Sequence, residues 1–430
     1  MRRWILHADM NACYASIEQA RRPALRGKAM AVCGDAAARN GIILAKSQEA
    51  KEAGVKTGEV IWQALQKCPQ LILVPADFAL YLAYSKLAHG IYLDYTPQVE
   101  PFGMDECWLD VSGSTALFGD GMAIAQTLRQ RFRSELGITI SVGVSDNKFF
   151  AKLGSDYRKP DGQTRIDQSN YQDIAWPLPV SNLLFCGPST TRTLARFGFE
   201  RIGDLAQADP RFIRRLLGRN GERLWLAANG RDKSPVAFYD FHPPIKSIGC
   251  GTTFRYDLCD RTEVAHSLLR LAQEVEKKLL RQDLTASALT LSIRDPHLLN
   301  LHESGPLPHP CQNAQELRDA ALRLFDQVWT WRHRVRAMTL RAEKLLPQPQ
   351  RVQTSFLRPF LRHEKREKLG RTLYNLRGRY GDRSVDFAAL QAYDAADLSS
   401  ERAQMPSQVL LAAPPPAATS SPALHAEAMV

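Results

Sequence analysis

Apolar and polar positions alternate along this chain in ways that predict its elements one after another. Trp4-Ile-Leu-His-Ala-Asp9 is a short run of strand character, and Ala12 to Ala20 reads as a helix with Ala12, Ala15 and Ile17 among its apolar positions. Residues 21–75 mix short elements around Gly27, Gly34, Gly41, Gly54 and Gly58, a loop-rich stretch. Strand character returns between Gln98 and Val111, on both sides of Phe102-Gly-Met-Asp-Glu106. It recurs over Gly137–Gly143, and Lys148–Leu153 opens a helix. Trp176-Pro-Leu-Pro179 has the composition of a linker and predicts a boundary, and 181–205 reads as helical with a glycine turn at each end. After His242-Pro-Pro244 the order is strand 247–254, helix 263–281, strand 287–294, helix 313–328 and strand 334–341. That β-α-β-α-β order predicts a small sheet with two helices on one face. Asp260 and Glu263 have capping-box spacing at the first of those helices. The C-terminal residues, with Pro414-Pro-Pro416 and Ser420-Ser421, lack aromatics and periodicity and predict a disordered tail. The class is α/β (α+β).

Composition narrows the function classes. At 430 residues the chain has room for about three domains. With 44% hydrophobic and 23% charged residues it is neither fibrous nor wholly disordered. No apolar run is long enough to span a membrane, and Asp9 interrupts the apolar stretch behind Arg2 and Arg3 before a secretory core can form. The eight cysteines are scattered without a C-x-x-C pair, which points to thiols in a reducing cytoplasm rather than a zinc ribbon or disulfide scaffold.

Charge placement says more than charge total. The net charge is +11, and the segment from Trp331 to Arg383, with fifteen basic and four acidic residues, carries +11 by itself. A concentrated basic face is the footprint of a polyanion, whose neutralised phosphates release counterions; a solvated basic helix without a partner is the alternative.

Acids also stand where a strand should be apolar. Asp9 ends the first strand, and Asp105 and Glu106 sit at what reads as a tight hairpin bend. Such a group is costly unless neutralised, and hard divalent cations such as Mg²⁺ take carboxylate oxygens together with substrate phosphates. Two ions held there would suit an in-line phosphoryl displacement, although acids at turns are also common for structural reasons.

Three stretches then settle a resemblance. His7-Ala-Asp-Met-Asn-Ala-Cys-Tyr-Ala-Ser-Ile-Glu18, Phe102-Gly-Met-Asp-Glu-Cys-Trp-Leu-Asp110 and Gly143-Val-Ser-Asp-Asn-Lys-Phe-Phe-Ala-Lys152 resemble, in this order and spacing, the catalytic motifs of Y-family DNA polymerases. The resemblance spans about residues 1–380 and is nearest to the DinB branch. It implies a right-hand polymerase: a ferredoxin-like palm over 1–18 and 76–170, small fingers over 19–75, and a helical thumb with a helix-hairpin-helix over 171–235. A little finger over 242–346 would follow, then a clamp-binding peptide and basic helix over 347–383 and a tail over 384–430.

The resemblance implies site residues as well. Asp9, Asp105 and Glu106 match the metal-binding carboxylates for two Mg²⁺ ions, with the backbone carbonyl of Met10 completing one shell. Asn11 stands where a second acid is common. Tyr14 matches the aromatic steric gate against a ribose 2′-oxygen. Gln48 and Lys51 stand where the family often has a Tyr and an Arg for the incoming triphosphate; Lys46 is a further candidate, and Lys159 matches a palm lysine that reaches the same phosphates. A lysine offers only a point charge where arginine offers a fork. Leu184–Leu194 and Phe197–Leu205 resemble a helix-hairpin-helix, in which Gly187 and the adjoining helix start would meet a DNA phosphate; Phe185 replaces one glycine of the pattern. Arg332, Arg334 and Arg336 open a last strand that alternates basic and apolar residues up to Arg341, one face for phosphate. Gln353-Thr-Ser-Phe356-Leu357 resembles the peptide with which bacterial polymerases bind the sliding clamp.

The expected function is template-directed addition of dNTPs to a primer 3′-end, of low fidelity, without proofreading, by a cytoplasmic, nucleoid-associated monomer. Primer-template DNA and the clamp would be its partners. A catalytically inactive polymerase-like adaptor, or another palm-type nucleotidyl enzyme such as a cyclase, are the competing readings, and the intact carboxylates argue against the first.

Overall fold

The computed structural model describes residues 3–34, 41–347, 358–382 and 384–391. Two compact units divide between His242 and Pro243. The tail expected to be disordered over 384–430 begins with structured chain, since Ala388–Gln391 is a short helix and Leu390 and Phe387 join the apolar core of the second unit; residues 392–430 and the clamp-like peptide Gln353–Leu357 lie outside the described residues.

The first unit contains strands β1 (Ile5–Met10), β2 (Met30–Cys33), β3 (Ile43–Lys46), β4 (Ile72–Pro75), β5 (Val99–Pro101), β6 (Glu106–Asp110), β7 (Ile140–Ser145) and β8 (Gln163–Arg165). Its helices include α1 (Cys13–Arg21), α2 (Gln48–Glu52), α3 (Phe78–Leu93), α4 (Gly121–Arg131), α5 (Lys148–Tyr157), α6 (Pro188–Ala195), α7 (Ile202–Gln207) and α8 (Pro210–Ala228). Five strands form one sheet in the order β5-β6-β1-β7-β8, and β3-β2-β4 form a second. β1 is antiparallel to both neighbours, with His7 opposite Trp108 on one side and Gly143 on the other. β5-β6-β1-β7, with α3 between β1 and β5 and α4 between β6 and β7, has the ferredoxin-like strand order expected.

Two glycines show how closely helices approach this sheet. A Cβ on Gly143 would overlap the backbone carbonyl of Ala151, so α5 lies directly on the face that also carries Ile5, His7 and Trp108. A Cβ on Gly121 would meet Trp4 and Val144, so α4 covers the opposite face. With helices on both faces, all six residues of β1 are buried.

Trp176-Pro-Leu-Pro179 is not a boundary. Trp176 and Leu178 pack against a core of Phe150, Leu153, Ile166, Leu194, Ile202, Leu205, Ile213 and Leu224. Helices α6 to α8 contribute Leu194, Ile202, Leu205, Ile213 and Leu224 to this core and α5 contributes Phe150 and Leu153, so the two sides of Trp176–Pro179 share one core. The strand expected at 137–143 runs instead from Ile140 to Ser145, because Gly137 (φ 68°) ends the preceding helix.

The second unit holds β9 (Ser247–Leu258), α9 (Arg261–Arg281), β10 (Leu284–Arg294), β11 (Asn300–Cys311), α10 (Ala314–Val328), β12 (Val335–Pro347) and α11 (Arg358–Tyr380). Its sheet order is β11-β10-β12-β9, so one strand more than the sequence pattern indicates. That strand, β11, contains Gly305, Pro306, Pro308 and Pro310, a composition that reads as loop. It survives because it is an edge: prolines without N–H groups are tolerated where a strand pairs on one side only. At the N-cap of α9, Asp260 accepts hydrogen bonds from the Thr262 and Glu263 amides, and the Glu263 carboxylate accepts one from the Cys259 amide.

Candidate active site

The β1–β6 register makes Asp9 and Glu106 direct cross-strand partners, so both carboxylates leave the same face of the sheet. Asp105 precedes β6 in a turn that needs the left-handed backbone of Gly103 (φ 91°), and its carbonyl accepts a hydrogen bond from the Met10 amide at 3.0 Å. The strand end, the turn and the metal-ligand candidates are thus one piece of backbone. Met10 itself pairs with Ile140 on β7.

Helix α5 lies on this face and supplies the countercharge. Lys152 Nζ is 3.0 Å from Asp9 Oδ2, 3.0 Å from Glu106 Oε2 and 3.2 Å from Asp156. Lys159 Nζ is 2.6 Å from Asp9 Oδ2 and 2.7 Å from Asp156. Burial works against the charge on Lys152, but Asp9, Glu106 and Asp156 outweigh it and its pKa rises. The converse holds for Asp105. Burial first, then the neighbouring charges of Asp9 and Glu106, push its carboxyl up to about 6.

His7, two residues before Asp9 on the same face, completes the cluster. It is fully buried, and burial followed by the Lys152 charge holds its pKa down to about 3, so the ring is neutral. Its Nδ1 meets Ser155 Oγ at 2.8 Å. Its Nε2 lies 3.3 Å from Glu106 Oε2 yet has no hydrogen bond. Donor atoms of His7, Asp9 and Glu106 all fall within 4.8 Å of one another. A group with two cations drawn onto its carboxylates, one carboxyl pushed toward neutrality and a buried nitrogen unpaired calls for positive charge. Its oxygen-rich donors fit a hard divalent ion such as Mg²⁺.

The turn from β1 into α1 passes through Ala12 in the left-handed region (φ 46°), at a cost of about 1 kcal/mol for a residue with a Cβ. Asn11 over-determines it. Its Oδ1 accepts from Ser141 Oγ at 2.8 Å, its Nδ2 donates to Thr139 Oγ1 at 3.0 Å, and its amide donates to the Thr139 carbonyl. Asn11 is therefore a tether between β1 and β7, committed away from the acids.

Tyr14, on the first turn of α1, stacks on Tyr81 with ring centroids 4.4 Å apart and meets Phe78 edge-on at 6.0 Å. Tyr81 is itself fixed by a hydrogen bond from its hydroxyl to Glu18 Oε1 at 2.8 Å. The half-buried ring of Tyr14 is thus a rigid wall, and burial raises its phenol pKa.

The other predicted residues scatter more widely. Gln48 and Lys51 are exposed on α2, with the Gln48 amide donating to Glu52 of the same helix at 3.0 Å. Lys46 donates to Thr57 Oγ1. Gly187 is the N-cap of α6, whose first residue, Pro188, has no N–H, and a Cβ on Gly187 would meet nothing within 4 Å. Phe185 takes φ 68°, the left-handed conformation of the glycine it replaces, and is held by Arg223, whose guanidinium lies 4.2 Å from the ring centre. In the second unit, Arg332 and Arg334 precede β12 in an exposed loop rather than starting the strand. Arg336 and Arg341 are on β12, where a bulge between Val335 and Ala337 brings Val335 and Met338 both inward.

The basic helix spends part of its charge at home. Arg366 pairs with Asp319, Lys368 with Glu364, and Arg377 with Asp386. Lys152 is the residue that sequence reasoning missed. It stood in the third motif as quoted, and only the packing of α5 brings its ammonium between two acids 143 and 46 residues away.

Comparison with known proteins identifies the family. Residues 8–156 match the impB/mucB/samB family and residues 245–356 the C-terminal domain of that family. The chain is 43% identical over 385 residues to DNA polymerase IV of Acetivibrio thermocellus, covering 90% of this chain and 96% of that protein. It is 35% identical to DNA polymerase IV 1 of Bacillus subtilis, covering 89% and 92%. A solved Y-family DNA polymerase chimera shares the fold at a TM-score of 0.71 and 23% identity, over 80% of this chain and 99% of that one. The chain belongs to the impB/mucB/samB family and, within it, to the DinB-like branch of the Y-family DNA polymerases, which are DNA-directed DNA polymerases.

Proposed function

We propose that this chain is a translesion polymerase that extends a primer by a two-metal mechanism, with low fidelity and without proofreading. Y-family polymerases are metal-dependent, and membership implies primer-template DNA and dNTPs as substrates. The observation that carries the mechanism is the placement of Asp9 and Glu106 side by side, next to an Asp105 pushed toward neutrality.

Asp9, Asp105, Glu106 and the Met10 carbonyl would hold two Mg²⁺ ions, which when bound supply charge to the attacking 3′-oxygen and to the departing diphosphate. The chain's own residues do the rest. Asp9 and Glu106 fix where positive charge must sit. Lys159, and with it Lys152, hold ammonium groups at that spot and would meet the triphosphate of the incoming dNTP. Tyr14, braced on Tyr81, excludes a ribose 2′-oxygen by bulk. Gln48 and Lys51 would approach the triphosphate from the fingers (19–75), while Asp9, Asp105, Glu106 and Lys159 belong to the palm (1–18 and 76–170).

DNA would be gripped without regard to sequence. The open N-terminus of α6 at Gly187, in the thumb (171–235), offers amides to a phosphate. Arg332, Arg334 and Arg336 of the little finger (242–346) offer charge. Gln353, Phe356 and Leu357 would bind the sliding clamp.

Asp105→Asn tests the metal assignment. Mg²⁺-dependent primer extension should be lost while DNA binding persists; extension near the wild-type rate overturns the assignment. Extension across damaged templates, with and without the clamp, tests the translesion and clamp readings.

A further inference from the structure

A second cluster of metal-ligating side chains lies within the second unit. His309 near the end of edge strand β11, Glu316 in the first turn of α10 and His363 in α11 converge on one point. His309 Nε2 is 3.1 Å and His363 Nδ1 2.8 Å from the same oxygen, Glu316 Oε2. The three donor atoms lie within 4.8 Å of one another, and the imidazole centroids are only 4.0 Å apart. Glu316 and His363 have side chains 13% and 12% exposed, and the site opens to solvent at His309, 36% exposed.

We propose that His309, Glu316 and His363 form a tetrahedral Zn²⁺ site that clips helix α11 to the sheet of the second unit. Two imidazole nitrogens and one carboxylate oxygen are a set zinc accepts, with a fourth position left for water or a further ligand. Ligands at about 2.0–2.1 Å on a tetrahedron stand about 3.3 Å apart, so the N···O separations of 3.1 and 2.8 Å are already close to those of a filled site. The three residues come from three separate elements, and α11 is held in place there independently of any ion. Asn313 Nδ2 donates to the Arg366 carbonyl at 2.8 Å, and the Gln312 backbone N–H donates to Glu367 Oε1 at 3.1 Å. The buried Cys311 thiol is a hydrogen-bond partner of Glu316 but lies outside the group of converging donor atoms, which leaves the fourth position to water.

The consequence is structural. Without metal, a single carboxylate oxygen takes both imidazoles; with it, β11, α10 and α11 are joined by coordinate bonds whose formation adds to the stability of the folded state. Helix α11 begins at Arg358, directly after Gln353–Leu357 in sequence, so the clip would fix the helix that follows that peptide along the chain.

The test uses untagged, full-length protein carrying Asp9→Asn, which disables the acidic cluster as a competing zinc site. Equilibrium dialysis against micromolar Zn²⁺ followed by metal analysis should find about one ion per chain. His309→Gln or His363→Gln added to this background should abolish that binding, with far-UV circular dichroism unchanged. Co²⁺ should give the intense visible bands of a tetrahedral centre, absent from the His363→Gln protein. Zinc that stays bound after either histidine is replaced overturns the site. So does the absence of a tetrahedral Co²⁺ spectrum in the Asp9→Asn protein, a reading that stands even if a histidine variant fails to fold. In the otherwise wild-type enzyme, His363→Gln should leave basal primer extension intact.

Discussion

Replacing Lys152 by methionine separates charge from packing at the acidic cluster. The lysine side chain is 13% exposed and its ammonium touches three carboxylates, of which Asp9 is the most buried, with a side chain 5% exposed. Methionine preserves most of the stem's volume, so the change removes chiefly the cation. Taking away one partner of a buried ion pair commonly costs 3–5 kcal/mol, and because Lys159 still meets Asp9 the low end, about 3 kcal/mol, is expected here. For a folding unit of about 200 residues that corresponds to a fall in Tm of roughly 6–12 °C. The assay is thermal unfolding in EDTA and again in millimolar Mg²⁺. In EDTA the variant should lose that full amount. In Mg²⁺ the loss should shrink to less than about half, because a divalent ion neutralises the same carboxylates. An equal loss in both conditions would show that the lysine stem rather than its charge mattered. No loss in EDTA would mean that Asp9 and Glu106 do not need a cation, and the electrostatic account of the site would fail.

Tyr14→Ala removes the wall braced on Tyr81 and should raise ribonucleotide incorporation about tenfold or more relative to dNTPs; unchanged sugar discrimination counts against the gate. Gly143→Ala forces a methyl into the Ala151 carbonyl, so α5 must shift. Stability should fall by about 3 kcal/mol and extension should drop with it, and a variant that melts like wild type would contradict the close packing of α5 on β7. In the second unit, burial pushes the Glu276 carboxyl up to about 7 from its ordinary value of 4.5. The folded state therefore holds that proton more tightly than the unfolded one, and stability falls as pH rises from 4.5, the cost being complete above 7. Glu276→Gln should recover about 3 kcal/mol in urea unfolding at pH 8 and almost nothing at pH 4.5. An equal effect at both pH values would refute the shift.

The legible parts of the fold were those in which period and composition agree. The apolar run into Asp9, the hairpin flanking Asp105 and Glu106, and helices α9 and α10 could all be read because each pairs a clear hydrophobic rhythm with a turn or cap. Strand β11 was not, since Pro306, Pro308 and Pro310 carry a loop signature and only its place at the sheet edge makes them acceptable. Trp176–Pro179 failed for the opposite reason: its composition is that of a linker, but the apolar faces of α6 to α8 need the core behind it.

Local sequence by itself picked out the candidate residues, because Asp9, Asp105, Glu106 and Tyr14 sit in short motifs whose neighbours dictate a strand end, a tight turn and a helix start. It also located the basic segment, since charge can be counted along a chain. Tertiary structure alone decided how those groups are balanced. The β1–β6 register put Asp9 beside Glu106, and the close approach of α5 over Gly143 delivered Lys152 between them. The folding of α11 back onto α10 brought His363 to Glu316 and His309. Electrostatic energy depends on distance through space and on exclusion of water, and neither is written in the spacing of residues along a chain.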